Sequence, residues 1–235
     1  MRIAKYIANA GICSRRDAEK LVLEKKVKIN GSLCIKVGTI VKESDQIKVY
    51  EKIIKNNKIL RLWKLYKPIK YICTTHDPQN RKTVFNLIPK NYPRLISVGR
   101  LDYMSEGLLL FTNNGDLARK LELPSSNYKR IYKLCINGKI KIDELNKINK
   151  GITINKILYK KINISKLNFK NNQTWLLVKL WEGKNREIRN ICNHFKWNII
   201  KLIRIQYGKY KLNNLGIGKI KEIKIKNNQT WLLVK

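Results

Sequence analysis

Asp102 is the side chain whose type and surroundings could do chemistry in this chain. It follows Arg100 and Leu101 in the segment Gly99–Leu110, where a turn-like stretch leads into an apolar run. The chain has 51 basic against 16 acidic residues and a formal net charge of +35, so an acid at this place needs an explanation. It could cap a loop that enters a buried strand, or it could be an isolated catalytic carboxylate beside a positively charged substrate groove. The segment by itself leaves both interpretations open.

The charge of the whole chain indicates a polyanionic partner. Nucleic acid is the first candidate, and an anionic membrane surface is the second. The basic residues are spread along the whole chain, no apolar run is long enough to span a bilayer, and the first residues do not lead into the apolar region of a signal peptide. We therefore expect a nucleic-acid partner, no membrane association and a cytoplasmic location. Lys, Asn and Ile are abundant, as in proteins of AT-rich genomes, so the charge supports nucleic-acid binding without proving it.

Cofactor and metal motifs are missing from the sequence. The five cysteines are scattered and never spaced as C-x-x-C, which predicts reduced thiols rather than disulfides. Two histidines cannot build a metal cluster of recognisable spacing, and neither a G-x-G-x-x-G nor a P-loop pattern occurs. We expect a reaction that uses side chains alone, with no cofactor and no metal.

Residues 1–50 have the pattern of a small α+β module. Apolar residues three or four positions apart predict a short helix that Gly11 ends. The segment Ser14–Asp17 has the spacing of a capping box at the start of a second amphipathic helix. Asn30-Gly31 lies between alternating polar and apolar residues and predicts a hairpin.

This order of elements resembles the S4 RNA-binding domain, in which the basic face of the second helix and the adjoining hairpin contact the RNA backbone. The resemblance implies that eight residues of the module contact RNA: Arg2, Lys5, Ser14, Arg15, Arg16, Lys20, Lys28 and Asn30. Exposed amide groups at the start of the second helix would add to the attraction for phosphate. A solvated basic face without a ligand is the alternative interpretation.

Residues 51–59 are charged and are predicted to be a linker, and a second unit follows over residues 60–224. Strands are predicted over 62–68, 71–75, 108–112, 130–136, 174–180 and 201–205, with a helical turn at 83–89 and helices at 116–121 and 186–194. Mixed strands with few helices favour an α+β sheet over a doubly wound one.

The carboxyl-terminal tail, residues 225–235, duplicates residues 169–179 almost completely. The ten residues Lys170–Lys179 recur letter for letter as Lys226–Lys235. Structural repeats drift and run longer than this, so a recent duplication or a sequence-assembly artefact explains the tail better. The tail could still pair as an extra strand, but we base no function on it.

Seven motifs of the second unit occur in a fixed order: Tyr66–Pro68, Asp77–Pro89, Gly99–Leu110, Thr112–Asp116, Lys129–Lys133, Glu182–Arg189 and Leu202–Gly208. Together with the module in front, they resemble the RsuA/RluB/RluE/RluF family of ribosomal RNA pseudouridine synthases. The stretch Asp77–Pro89 is most similar to that of the large-subunit enzymes, the RluB type. Ser105, Asn114 and Asn190 depart from the residues common at their positions, and Asn190 could weaken RNA contact.

The resemblance implies an α+β fold: a small S4 (αL-type) domain, then a synthase domain on a mixed, mainly antiparallel β-sheet with flanking helices. It implies that the chain isomerises a uridine of ribosomal RNA to pseudouridine, with large-subunit RNA favoured. The reaction needs no redox step, metal or outside group, because a carboxylate nucleophile can suffice. The enzyme is expected to act as a monomer, in the cytoplasm of a bacterium or in an organelle of bacterial origin.

Residue roles also follow from the resemblance. Asp102 is expected to be the nucleophile, and Arg189 to pair with it and keep it ionised and oriented. Tyr132 is expected to stack on the flipped uracil and to take part in proton transfer. The expected substrate-binding residues are Leu202 under the base, Arg100 in the gap left by the flipped nucleotide, Lys184 and Arg186 at phosphates, and Lys67.

Two other functions remain open at the level of sequence. The chain could be an S4-bearing RNA-binding protein that acts in ribosome assembly without catalysis, or a related synthase that acts on small-subunit ribosomal RNA or on tRNA. Asp102, Tyr132 and Arg189 are all intact, which favours catalysis over the first alternative. Nothing in the sequence excludes the second.

Overall fold

The computed structural model describes residues 1–56 and 59–225. The repeated tail, residues 225–235, lies almost wholly outside these residues. The prediction that it could pair as an extra strand therefore also concerns residues outside the described ranges. Within the described ranges no helix is long and apolar enough to cross a membrane.

The amino-terminal domain consists of two helices and a small antiparallel sheet. Its elements are α1 (Ile3–Asn9), α2 (Arg15–Leu23), β1 (Val27–Ile29), β2 (Ser32–Leu33), β3 (Ile47–Val49) and β4 (Lys52–Ile54), with sheet order β2-β1-β3-β4. Gly11 follows α1 with a φ of +83°, a left-handed conformation that favours glycine. The Ser14 hydroxyl caps α2 by accepting a hydrogen bond from the Asp17 amide at 3.1 Å. Helices, cap and hairpin are therefore where the sequence predicted them.

Strand β4 lies inside the segment 51–59, which was predicted to be a linker. It pairs with β3, and Ile54 packs into the core of the amino-terminal domain. The turn between the two strands is formed by Tyr50 and Glu51, both with positive φ (48° and 61°). Tight hairpin turns are usually predicted from residues such as Asn-Gly. Because Tyr50-Glu51 is not such a pair, the β3–β4 hairpin could not be predicted from the sequence.

The second domain is built on one nine-stranded sheet. Its strands are β5 (Leu62–Lys67), β6 (Ile96–Val98), β7 (Glu106–Thr112), β8 (Arg130–Asn137), β11 (Asn163–Lys170), β12 (Gln173–Leu180), β13 (Ile199–Tyr207), β14 (Tyr210–Lys211) and β15 (Ile220–Ile223). The order along the sheet is β11-β12-β8-β13-β7-β5-β15, with β6 on β7 and β14 on β13. Strands β7 and β13 pair in parallel and the other recorded pairings are antiparallel, which confirms the predicted mixed, mainly antiparallel sheet.

Three helices flank this sheet, together with a separate hairpin. They are α3 (Gly115–Glu122), α4 (Ile142–Lys150) and α5 (Glu187–His194), and the hairpin is β9 (Ile152–Ile154) with β10 (Ile157–Tyr159). A short 3₁₀ turn at Val84–Leu87 confirms the predicted helical turn. The strand predicted over 71–75 is wrong, because this segment makes one isolated bridge, Ile72 to Thr83, and otherwise runs as irregular chain. Helix α4, the hairpin and strands β6, β11, β14 and β15 were not predicted.

Strand β7 runs through the centre of the hydrophobic core. Leu108 and Leu110 face the cluster that contains α3, whereas Leu109 and Phe111 face the cluster around Val84 on the other side of the sheet. Because side chains alternate along a strand, an uninterrupted apolar run marks a strand buried on both faces. The apolar run after Asp102 therefore anchors the loop of Asp102 at the middle of the sheet.

Gly107 allows β7 and β13 to approach each other closely. A Cβ atom at this position would lie 2.4 Å from the main-chain oxygen of Arg204 and 2.7 Å from its nitrogen. The φ of Gly107 is +105°, which side chains other than glycine rarely adopt. The parallel contact that joins the two halves of the sheet therefore depends on this glycine.

We expect Gly107→Ala to lower the free energy of unfolding by about 2 kcal/mol or more, because both the clash and the positive φ oppose it. Urea unfolding followed by circular dichroism measures the loss. Gly38→Ala is the matched control, since nothing lies within 4 Å of a Cβ there and its φ is not positive. Equal unfolding midpoints for the two variants would contradict this explanation of the β7–β13 contact.

Candidate active site

Asp102 lies in the loop between β6 and β7. Its side chain is 29% exposed and lines a cavity. The loop is closed by a hydrogen bond from the Ser105 amide to the Asp102 carbonyl oxygen at 3.0 Å. At the start of the loop, the Gly99 amide donates to Glu122 Oε1 at 2.7 Å, which ties the loop to the end of α3. The carboxylate is therefore held on a short, well-bonded segment.

Lys67, the last residue of β5, holds the Asp102 loop in place. Its ammonium group donates to the carbonyl oxygens of Pro68 (3.0 Å), Asp102 (3.0 Å) and Ser105 (2.7 Å), which uses all three of its protons. The side chain is fully buried. Desolvation is the main reason that the pKa of Lys67 falls to about 8. The expectation that Lys67 touches the substrate is wrong: it positions the loop that carries Asp102.

Arg189 faces Asp102 from helix α5. Its Nε lies 3.3 Å from Asp102 Oδ2, and its Nη2 donates to the hydroxyl of Ser105 at 3.0 Å. Nε is buried and makes no hydrogen bond of acceptable geometry with any described residue, so its attraction to the carboxylate is that of an ion pair. The structure thus brings together the Asp102 and Arg189 that the sequence paired. Ser105, not assigned a role from the sequence, orients the arginine.

The loop before α5 is held by two buried side chains. Glu187 accepts hydrogen bonds from the amides of Gly183 (3.0 Å) and Lys184 (2.8 Å), and burial raises its pKa. Arg130 donates to the carbonyl oxygens of Trp181 (2.8 Å) and Glu182. Neither residue has a role predicted from the sequence, because a charged residue within a motif does not show by itself whether it faces the ligand or the protein.

Tyr132 and Leu202 lie on the neighbouring strands β8 and β13. Both are buried (9% and 4% exposed) and both line a cavity of about 520 Å³ that also contains Asp102 and Arg189. This volume is in the range of small-ligand sites. The cavity brings together seven of the eight residues predicted for catalysis and substrate binding: Asp102, Tyr132, Arg189, Arg100, Leu202, Lys184 and Arg186.

The cavity is strongly basic. Arg100, Lys184 and Arg186 are exposed at its rim, whereas Arg130 and Arg204 are buried in its wall. A wall of this kind favours an anionic ligand, since low-dielectric surroundings strengthen the attraction.

A second groove of about 670 Å³ continues from Asp102 past Asp77 and Arg81. Hydrogen bonds from Arg81 and the main chain lower the pKa of Asp77 to about 2, so this loop is held by an ion pair.

The side chains predicted to bind RNA in the amino-terminal domain fall into two groups. Arg2, Arg15, Arg16 and Lys20 are exposed. Asn30, in contrast, bonds to Asp45 and to the Gln46 amide and so stabilises its own hairpin, and Ser14 caps α2. Lys28 pairs with Glu51 at 2.7 Å. These last three side chains are held by contacts within the protein, and their contact with RNA remains a prediction.

Asp116, at the start of α3, joins the two domains. It lies 2.7 Å from the Lys5 ammonium and 3.7 Å from the Arg15 guanidinium. Two of the cations predicted to bind RNA therefore also hold the amino-terminal domain against the second domain. Among the described residues there is no group of three or more histidine, cysteine or acidic side chains that could hold a metal ion.

Comparisons with known proteins match both domains. Residues 61–194 match the RNA pseudouridylate synthase family, and residues 1–47 match the S4 domain. A Rickettsia felis protein described as an uncharacterized RNA pseudouridine synthase is 49% identical over 94% of this chain and 96% of its own length. Ribosomal large subunit pseudouridine synthase B of Bacillus subtilis is 35% identical over 94% and 91%. These matches confirm the resemblance seen in the sequence.

A solved structure described as a pseudouridylate synthase shares the fold. It covers 100% of both chains with a TM-score of 0.69 at 20% sequence identity. At this identity the likeness concerns the fold alone. It agrees with an amino-terminal domain followed by a mixed sheet.

We expect the catalytic rate to fall as the pH rises through about 8, because Lys67 then loses one of the three protons that hold the Asp102 loop. The effect on stability has the opposite sign. Between the folded pKa of about 8 and the ordinary value of 10.5 the unfolded chain binds more protons at this group, so its contribution to the unfolding free energy rises with pH. A pH series of kcat/KM alongside urea unfolding measures both trends.

Lys67→Met removes the titrating group, and we expect it to lower kcat/KM roughly 10- to 100-fold through loss of loop geometry and to abolish the limb near pH 8. Lys64→Met on the same strand is the control, because the Lys64 ammonium donates to the carbonyls of Lys211 and Leu212, outside the cavity. An unchanged alkaline limb in Lys67→Met would show that another group titrates.

Proposed function

The chain belongs to the RNA pseudouridine synthase family, and we propose that its substrate is a uridine of large-subunit ribosomal RNA. As a member of this family it isomerises uridine to pseudouridine in RNA. The observation that carries the assignment of the site is the Asp102–Arg189 pair at the wall of a basic cavity that also contains Tyr132.

The reaction is an isomerisation that conserves every atom. The bond between N1 of uracil and C1′ of ribose breaks, the base turns, and a bond between C5 and C1′ forms. The proton on C5 is lost and N1 gains one. We propose that Asp102 is the nucleophile, attacking either the ribose or the base, and that it leaves when the new bond is complete.

Arg189 supports this role in two ways. Its charge, 3.3 Å from Oδ2, attracts the carboxylate and holds it at the wall of the cavity. Its bond to the Ser105 hydroxyl fixes the guanidinium, so the carboxylate is oriented before substrate arrives. Tyr132 lies on β8, the strand that pairs with β13. It offers an aromatic face for the base and a phenol that can move a proton.

The reacting base must leave its stack, because the cavity takes a single nucleotide and not a helix. We propose that Leu202 packs under the flipped uracil, that Arg100 fills the gap it leaves, and that Lys184 and Arg186 bind neighbouring phosphates. The exposed cations Arg2, Arg16 and Lys20 of the S4 domain extend the basic surface. RNA binding should therefore weaken with salt as these cations release counterions.

Large-subunit ribosomal RNA is favoured by two relatives. Both the Bacillus subtilis protein and its counterpart in Buchnera aphidicola, which is 37% identical over 88% of this chain, are described as ribosomal large subunit pseudouridine synthase B. We propose the same RNA for this chain, and with it a place in the bacterial cytoplasm where ribosomes assemble. Small-subunit ribosomal RNA and tRNA are the competing substrates.

We expect Asp102→Asn to abolish pseudouridine formation, because an amide cannot act as the nucleophile, while RNA affinity changes little. Chemical mapping of pseudouridine in a ribosomal RNA transcript and a filter-binding assay give the two readouts. Asp143→Asn, on the exposed first turn of α4, is the matched control and should keep full activity. A rate for Asp102→Asn close to that of the wild type would refute the assignment.

Pseudouridine mapping of cells with and without the gene tests the substrate. We expect one site in large-subunit ribosomal RNA to lose its modification and to regain it when the wild-type chain, but not Asp102→Asn, is supplied. Loss confined to small-subunit ribosomal RNA or tRNA would assign the competing substrate. Unchanged maps, with ribosome assembly impaired in the absence of the gene, would favour a non-catalytic RNA-binding protein.

A further inference from the structure

Arg204 is a buried cation at the wall of the cavity with a hydrogen-bond donor to spare. The residue is 3% exposed. Its Nε donates to the Leu108 carbonyl oxygen at 2.7 Å, but its Nη2 is buried and has no hydrogen-bond partner among the described residues. Leaving a buried donor without an acceptor is unfavourable, and such exceptions in native proteins call for an explanation. A ligand that supplies the acceptor is one.

The guanidinium of Arg204 is held in place before any ligand binds. It lies 5.1 Å from the centre of the Tyr207 ring. Tyr207 is itself fixed, because its hydroxyl donates to the Leu121 carbonyl oxygen at 2.7 Å and accepts from Arg130 Nη2 at 3.0 Å. With Nε bonded to Leu108, the unpartnered Nη2 has little freedom to turn elsewhere. This is the preorganisation that a recognition group requires.

Arg204 lies beside the two residues assigned to the base. It is two positions after Leu202 on β13, so both side chains point to the same side of the strand. In the β13–β8 register it is directly opposite Tyr132. All three residues line the cavity. The guanidinium is therefore beside Tyr132 and Leu202, deeper than the exposed cations Arg100, Lys184 and Arg186 at the rim. Nη2 itself is covered in this structure, so the side chains around it must move slightly for it to meet a ligand.

We propose that Arg204 recognises the target uracil by donating a hydrogen bond from Nη2 to a carbonyl oxygen at the edge of the flipped base. The proposal rests on the proposed function, which supplies the uracil. A phosphate is the weaker candidate, because phosphates stay with the RNA backbone near the rim. Uracil has two carbonyl oxygens, O2 and O4, whereas cytosine carries an amino group in place of O4. A donor facing that group would meet another donor, so contact at this edge disfavours cytidine.

The chemistry of the reaction gives this donor a second use. When the base turns so that C5 takes the place of N1, the same rotation exchanges O2 with O4. One fixed donor on the protein therefore meets a carbonyl oxygen before the rotation and another after it. Arg204 would then hold the base in both orientations with the same donor.

The test uses the full-length protein and RNA oligonucleotides that contain the target as uridine, 2-thiouridine or 4-thiouridine. Sulfur is a poor hydrogen-bond acceptor, so we expect the wild type to convert at least one thio-RNA roughly tenfold more slowly than the uridine RNA. Arg204→Lys should lower kcat/KM on the uridine RNA roughly 10- to 100-fold. The variant should then convert that thio-RNA almost as fast as it converts the uridine RNA, because the contact that sulfur weakens is already lost. This lack of additivity is a readout that a merely structural role would not produce.

Arg61→Lys is the matched control, because Arg61 pairs with Glu222 at the surface of the same domain and should keep wild-type ratios on all three RNAs. If Arg204→Lys does not fold, as judged by circular dichroism and thermal unfolding, Arg204→Gln is the second variant. If the wild type does not convert the uridine RNA, the proposed function fails. If it converts the uridine RNA, the ratios between the three RNAs test the role of Arg204 separately.

Three outcomes would overturn the proposal. The wild type could convert both thio-RNAs as fast as the uridine RNA. The losses from thio substitution and from the Arg204 variant could multiply, which would mean that they act independently. Finally, replacing a phosphate oxygen at the target by a methyl group could cancel the effect of the variant, which would assign the Nη2 donor to phosphate.

Discussion

The buried ammonium group of Lys67 is the interaction on which the arrangement of the site depends. Removing a cation from water is costly, and here three main-chain carbonyl oxygens, two of them in the Asp102 loop and one at Pro68, replace the lost hydration. Because these oxygens belong to the main chain, the bonds specify the path of the loop and not only its presence. The direction in which the Asp102 side chain leaves that loop follows. A neutral side chain at position 67 would leave the three carbonyls without this common partner.

The sheet supplies the second half of the site. Strand β7 carries the chain away from the Asp102 loop, and it pairs in parallel with β13, which carries Leu202 and Arg204. The contact is close because Gly107 has no side chain. On its other side β13 pairs with β8, so Tyr132 is brought to the same cavity. Three segments that are distant in sequence therefore meet through two strand pairings.

Electrostatics separates two tasks that both use positive charge. The exposed cations at the rim and on the S4 domain can bind RNA phosphates through long-range attraction, which salt screens. Two arginines inside the cavity act at short range: Arg130 holds the loop before α5, and Arg189 pairs with Asp102. Lys5 and Arg15 have a further task, because both lie near Asp116 and help to hold the two domains together. A net charge of +35 thus conceals several different functions.

The sequence by itself determined the order of the domains, about half of the strands and the family, and it singled out Asp102 as the candidate nucleophile. These features leave local signals: a capping serine, an Asn-Gly turn, an apolar run and motifs of fixed spacing. The tertiary structure decided the roles of Lys67, Ser105 and Arg130, because burial and partner depend on segments that are far away along the chain. Lys67 shows the difference most clearly. As a lysine within a motif of a basic protein it is predicted to meet a nucleic acid, and only the packing of the Asp102 loop above it turns it into a support for the carboxylate.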